Sequence, residues 1–217
     1  MTSWTQEMEA ATDGIYQAII RLPFITRLAD GTLEADTFRR YIAQDSLYIN
    51  QYSKVLAHIA SRLDRSDWTE AFLGFAADGV AVEKGLHSLY VAEAAEDMSP
   101  ACLFYTSFLR SQALEPVEVE AAAVLPCFLI YLKVGLHIAA TQSGGSANPY
   151  HDWIATYSDE AFSRSCDKVS EILNTMARTA DPQLRTRMSN AYKEAARQEW
   201  LFWHSAYQNL KWPAELI

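Results

Sequence analysis

Residues Phe38, Tyr41, Asp45, Tyr48, Tyr52, Val55 and Ile59 follow one another in alternating steps of three and four. That spacing puts side chains on one face of an α-helix. The same rhythm returns in Phe72, Ala76, Gly79, Glu83, Leu86 and Tyr90, and again in Val124, Cys127, Tyr131, Val134 and Ile138. A fourth stripe runs through Met188, Ala191, Ala195, Glu199, Phe202 and Ala206. Shorter helices fit residues 4–20, 100–114 and 149–178, the last broken near Ser158. No run alternates polar and apolar residues as a half-buried strand does, and no repeat period is present. Proline and glycine fall between the periodic segments, at Asp30-Gly31, Ser99-Pro100, Glu115-Pro116, Asn148-Pro149 and Asp181-Pro182. The polar residue before each proline is expected to cap a helix whose first turn holds the proline, where a missing amide costs nothing. "QSGGSANP", residues 142–149, reads as the one flexible loop. The pattern predicts an all-α, single-domain helical bundle of seven or eight helices over residues 1–217.

Three carboxylates break the apolar stripes: Asp45, Glu83 and Glu199. An ionised carboxylate in a packed interior is costly unless paired or hydrogen-bonded. Three of them on three inner stripes point to a shared polar cavity walled by aromatic rings. Each also has a plainer reading: Asp45 bracing a neighbouring helix, Glu83 paired with Arg or Lys across the bundle, or a helix phase misjudged by one residue. The segment "AVLPCFLIYLKVG", residues 123–135, sets a thiol beside a proline inside an apolar helix. Pro126 removes the amide that would bond the Ala122 carbonyl and opens a gap beside Cys127. Tyr131, one turn on, presents its hydroxyl to the same space. Taken alone, Cys127 fits equally a small core residue. Lys133 lies off its stripe and His137 is nearly three turns away, so any group that favours a thiolate must come from another helix.

Composition narrows the functional classes. The 217 residues are 50% hydrophobic and 12% aromatic, enough for one sizeable core. Six Trp, 11 Tyr and 9 Phe supply more ring surface than packing demands. With 18 basic against 27 acidic residues, the formal net charge of −9 repels phosphate backbones and anionic lipid. Nucleic acid and membrane surfaces are therefore not expected as partners. Cys102, Cys127 and Cys166 are odd in number, widely spaced and without a C-x-x-C pair, which reads as free thiols in a reducing compartment. The opening "MTSWTQEMEA" lacks the basic stretch and apolar run of a signal peptide. Residues 121–140 are apolar but interrupted by Pro126, Lys133 and His137, as in a buried helix rather than a membrane span. A cytoplasmic protein is expected.

Six segments together resemble a known family. "YIAQDSLYI", "VEKGLH", "YTSFLR", "LPCFLIYLKVG", "WIATY" and "EWLFWHSAY" are similar, in order and spacing, to the signature segments of TenA-type thiaminase II, the aminopyrimidine aminohydrolases. The likeness runs from about Phe24 to Tyr207. It implies a haem-oxygenase-like all-α fold, a homotetramer, and a hydrolase that needs no metal or organic cofactor. The implied reaction releases hydroxymethyl pyrimidine from aminopyrimidine breakdown products of thiamin, and more slowly from thiamin, in thiamin salvage. The resemblance makes Cys127 the nucleophile, Asp45 the carboxylate that holds the pyrimidine nitrogens, and Glu199 the general acid and base. It places Tyr48, Tyr105, Tyr131, Tyr157 and Phe202 around the substrate, with Glu83 and His87 at matching positions of less defined role. A protonated aminopyrimidine is flat and cationic, which suits a carboxylate accepting two parallel hydrogen bonds and the faces of tyrosines. Protonation also prepares the ring for attack by a thiolate. The chain departs from the family pattern on the cysteine helix, where Leu129 and Ile130 replace a common second aromatic and Lys133 a frequent acid; substrate preference and assembly contacts are the properties those changes touch.

Two rival classes remain open from sequence. A metal-dependent oxidase on the same architecture would want Glu-x-x-His on two helices. Here Glu83 and His87 are four apart, and Glu199 and His204 five apart. A non-catalytic pyrimidine binder or regulator would need no pairing of Cys127 with Glu199, and the chain shows no basic face for DNA.

Overall fold

The helical stripes are realised in a computed structural model that describes residues 2–90 and 97–213, the Glu83 side chain excepted. Ten α-helices occur among these residues: α1 (Trp4–Ala11), α2 (Asp13–Ile19), α3 (Pro23–Ala29), α4 (Ala35–Arg62), α5 (Ser66–Tyr90), α6 (Pro100–Ser111), α7 (Val117–Thr141), α8 (His151–Ser158), α9 (Glu160–Thr179) and α10 (Pro182–Gln208). Short 3-10 turns at Gln112–Leu114 and Gly145–Ala147 complete them, and no strand occurs among the described residues.

The count exceeds the seven or eight expected because the first segment is divided and a further helix, α3, lies between it and α4. Thr12 leaves helical geometry at φ −113°, ψ 10°, so residues 4–20 form α1 and α2 instead of one rod. The Thr12 hydroxyl bonds the Met8 carbonyl at 2.8 Å, and that carbonyl also accepts from the Thr12 amide at 3.0 Å. Helix α3 follows directly, with Pro23 in its first turn. The expected break at Ser158 is present: Asp159 caps α9 by accepting from the Phe162 amide at 2.6 Å.

The proline caps divide into two kinds. Ser99 and Asp181 accept from the amides of Cys102 (3.2 Å) and Leu184 (2.8 Å) and start α6 and α10. Glu115 and Asn148 do not cap. Pro116 itself is the residue before α7, and the Glu115 side chain pairs with Arg187. Asn148 donates to the last carbonyls of α3, Leu28 and Ala29, at 3.1 Å each, and accepts from the Tyr150 amide at 2.9 Å. With the Ser143 amide also bonded to the Ala29 carbonyl at 3.0 Å, the 142–149 loop is tied to the end of α3.

Helix α7 runs through the middle. It packs against α10, α8, α9, α4 and α3, and every residue from Val119 to Tyr131 is buried. A helix surrounded on all sides has no polar face to show. It is long and apolar enough to cross a membrane, yet most of it is covered by its neighbours in the fold. One charged residue in its first turn, Glu120, is 1% exposed and is held by Arg62 (2.6 Å) and His58 (2.8 Å) from the end of α4. Arg62 also donates to the Glu115 carbonyl at 2.6 Å. This buried ion-paired group joins the α4 C-terminus to the α7 N-terminus, and it gives His58 a structural role. At the other end, Gly135 lets α8 come close: a Cβ there would lie 2.3 Å from the Tyr157 carbonyl oxygen. Lys133 sits on the protein's flank, 4.3 Å over the Tyr16 ring and 3.6 Å from Glu9. Leu129 and Ile130 are buried in the core at 8% and 5% exposure.

Candidate functional site

Helix α4 carries Tyr41, Asp45, Tyr48 and Tyr52 inward on one stripe, and all four are buried. Tyr105 from α6, Cys127 and Tyr131 from α7, Tyr157 from α8, and Glu199 and Phe202 from α10 are buried in the same core. The rings touch in a continuous layer. Tyr48 lies 5.4 Å from Tyr52, 4.9 Å from Tyr105 and 5.6 Å from Phe202 between centroids. Tyr131 lies 4.9 Å from Tyr157.

Two hydrogen-bonded acid groups sit in this layer. The Tyr105 hydroxyl donates to Glu199 Oε1 at 2.7 Å. The Tyr131 hydroxyl donates to Asp45 Oδ1 at 3.2 Å and lies 3.3 Å from the Tyr41 hydroxyl. Burial pushes the Glu199 carboxyl up from 4.5 to about 8, and the neighbouring Asp45 charge pushes the same way. The Tyr105 bond opposes this, as does the Trp203 indole, which is near but forms no hydrogen bond of ordinary geometry. At neutral pH Glu199 therefore keeps its proton, the condition for a general acid.

Cys127 is 8% exposed and unpaired with any other cysteine. Burial holds its thiol well above the ordinary range, and the Glu199 charge adds to this. Two hydroxyls draw it back. Tyr48, which has no hydrogen bond to a neutral partner, and Tyr52, which donates to the Val124 carbonyl at 2.8 Å, both stand in reach of the sulfur and would donate to a thiolate. Both hydroxyls come from α4 rather than from the cysteine helix. Tyr52 was visible in the sequence as the next member of the Asp45 and Tyr48 stripe but had no assigned role.

Beside the sulfur lies a cavity of about 320 Å³ between α4, α5, α7, α8 and α9. Ligand pockets span about 300–1,000 Å³, so this one has room for a single small heterocycle. Tyr52, Cys127, Phe128, Tyr131 and Tyr157 form its buried end. Asp45, Tyr48, Tyr105, Glu199 and Phe202 are not among the residues that line it. His87 is half-buried on α5 and away from the cavity lining, and the Glu83 side chain lies outside the described residues. Among the described residues no three His, Cys, Asp or Glu side chains gather as a metal site would require.

The sequence model of the TENA/THI-4/PQQC family matches residues 9–209. The chain is 34% identical over 214 residues to the thiamine biosynthesis multifunctional protein ThiED of Corynebacterium efficiens, covering 94% of this chain but only 28% of that protein. It is 26% identical over 223 residues to the aminopyrimidine aminohydrolase of Bacillus subtilis, covering 99% of this chain and 94% of that one. In fold it is similar to a TenA family transcription regulator from Silicibacter sp. TM1040, with a TM-score of 0.84 at 21% identity, covering 94% and 96% of the two chains.

Proposed function

The chain belongs to the TENA/THI-4/PQQC family, and we propose that it is an aminopyrimidine aminohydrolase. Its reaction is the release of hydroxymethyl pyrimidine from aminopyrimidine breakdown products of thiamin, and more slowly from thiamin, in thiamin salvage. The relatives that carry that enzyme name over nearly their whole length support the class. The observation that carries the reading is the joining of the Cys127 thiol, a protonated Glu199 and Asp45 through one layer of tyrosines, next to a cavity sized for one ring.

The reaction follows from those groups. The pyrimidine lies against Tyr131 and Tyr157; as the Tyr131 hydroxyl leaves Asp45, the wall between that carboxylate and the cavity opens and the amino edge of the ring meets it. The carboxylate accepts a hydrogen bond from the exocyclic amino group, and a second, parallel one from the neighbouring ring nitrogen once that nitrogen is protonated. The Cys127 sulfur bonds to the activated ring, and its proton passes to that ring nitrogen. Tyr48 and Tyr52 donate to the sulfur as charge develops on it. Glu199 gives its proton to the leaving amine as the C–N bond breaks. The Glu199 carboxylate then takes a proton from water, whose oxygen bonds the methylene carbon. The S–C bond breaks as the ring nitrogen returns its proton to sulfur. Amine and water are exchanged, and the enzyme ends as it began.

Family membership is also the ground for proposing a cytoplasmic homotetramer of one-domain chains, residues 1–217, that works without metal or organic cofactor. Mass spectrometry of products after incubation with thiamin and with its aminomethyl pyrimidine breakdown product tests the activity, with Cys127→Ser alongside. Hydroxymethyl pyrimidine from the wild type and its near-absence from Cys127→Ser are expected. No product from either substrate defeats the hydrolase reading, and full activity in Cys127→Ser defeats the nucleophile.

A further inference from the structure

The cavity has a buried end and an exposed rim. Cys127, Tyr131 and Tyr157 are buried, whereas Asp78, Val82 and Asp159 are exposed. A substrate bound for the sulfur must therefore pass that rim. Among the described residues, the side chains that line the cavity include two carboxylates and no Lys, Arg or His. The two acids differ in what they are free to do. Asp159 caps α9, accepting from the Phe162 amide at 2.6 Å, so the amide ends of that helix offset its charge. Asp78, on α5, forms no hydrogen bond or ion pair among the described residues. No described residue compensates its charge, which faces the route to Cys127.

Gly79 follows Asp78 and lines the same wall without a side chain, its nearest neighbours being Ser53 on α4 at 3.5 Å and Ile49 at 3.9 Å from where a Cβ would lie. The wall is thus slim and apolar beside one fixed negative charge. Such a mouth attracts a cation and repels an anion before any contact with the buried end is made.

We propose that Asp78 is a specificity-determining residue, selecting substrates whose leaving portion is positively charged and rejecting those that carry a phosphate. This rests on the hydrolase reading for what the leaving portion of the substrate is. Cationic leaving portions, such as an ammonium or a thiazolium, gain from Asp78 on entry. An anionic ester on that portion meets a carboxylate and no cation to receive it.

The test uses two readouts on the intact protein. The first is the rate at which methanethiosulfonate reagents of equal bulk, one cationic and one anionic, modify Cys127, followed by peptide mapping that separates it from buried Cys102 and Cys166. In a watery mouth, one unit charge closer than the Debye length changes the ratio of cationic to anionic rates several-fold. Asp78→Asn is expected to lower the ratio by that factor and Asp78→Lys to invert it, with both effects shrinking in high salt. The second is kcat/KM for thiamin relative to its monophosphate, which should fall in the same order. Asp78 is exposed and unpartnered, so neither variant threatens folding. A reagent ratio unchanged by both variants overturns the proposal. If the wild type turns over neither compound while the reagent ratio shifts, the hydrolase reading fails and the charge selection at the rim stands.

Discussion

Glutamine in place of Glu199 exposes the most consequential electrostatic feature of the site to measurement. In the folded chain the carboxyl is 1% exposed and keeps its proton to about pH 8, against 4.5 as its ordinary value. Between those two values the folded state holds a proton that the unfolded state has released. The free energy of unfolding therefore falls as pH rises, by about 1.4 kcal/mol per pH unit. The stabilisation is fully present below pH 4.5 and gone above about pH 8, a total of about 5 kcal/mol. The substituted amide keeps the shape and can still accept from the Tyr105 hydroxyl, but it does not titrate. Urea unfolding of wild type and Glu199→Gln, in steps from about pH 5 to about pH 9, isolates the effect because the other groups titrate alike in both. Relative to the variant, the wild type should lose several kcal/mol by pH 8 and nothing further beyond it. A difference that stays flat means Glu199 is already ionised at the acid end. A carboxylate ionised there cannot be the proton donor to the leaving amine, and the catalytic assignment would have to be withdrawn.

Other perturbations test the supports of the site. Gly135→Ala places a Cβ against the Tyr157 carbonyl oxygen and carbon at 2.3 and 2.6 Å, backbone that cannot swing aside. It should cost about 1–3 kcal/mol in chemical denaturation and lower kcat as Tyr157 leaves Tyr131; wild-type stability would contradict the close helix approach. Arg62→Met strips Glu120 of its guanidinium and should destabilise by about 3–5 kcal/mol, with part of the loss recovered in Arg62→Met/Glu120→Gln. No recovery in the double variant would mean that Arg62 acts through packing alone. Asp45→Asn should raise KM about 10–100-fold, the worth of a hydrogen bond to a charged group, and an unchanged KM removes Asp45 from ring recognition.

The helices and the inward direction of Asp45, Cys127, Tyr131 and Glu199 were legible because each sits in an unbroken three-and-four rhythm, which burial on one face imposes. The division at Thr12 was not, because one residue leaving helical geometry at φ −113°, ψ 10° leaves no mark in the spacing of apolar positions. The role of Glu115 was misread because Arg187, 72 residues away, claims its side chain. Glu120 escaped notice as a third buried acid with an ion pair: its partners His58 and Arg62 come from α4. The same limit explains why Tyr48 and Tyr52 could not be tied to the Cys127 thiol, and why Asp78 could not be placed on the rim of its cavity. Periodicity says which face is inward; it does not say which inward faces meet.

The claim on which everything else depends is a covalent step at Cys127 that Glu199 resolves. Thiamin separates the two halves of that step, since its thiazole leaves as a neutral group without a proton from Glu199, whereas water still needs Glu199 as its base. Intact-protein and peptide mass spectrometry of Glu199→Gln mixed with thiamin should show one equivalent of thiazole released per site and a pyrimidine-bearing mass increase on the peptide that contains Cys127. Continued turnover with no mass increase, or an increase on a peptide holding Cys102 or Cys166, would contradict the account.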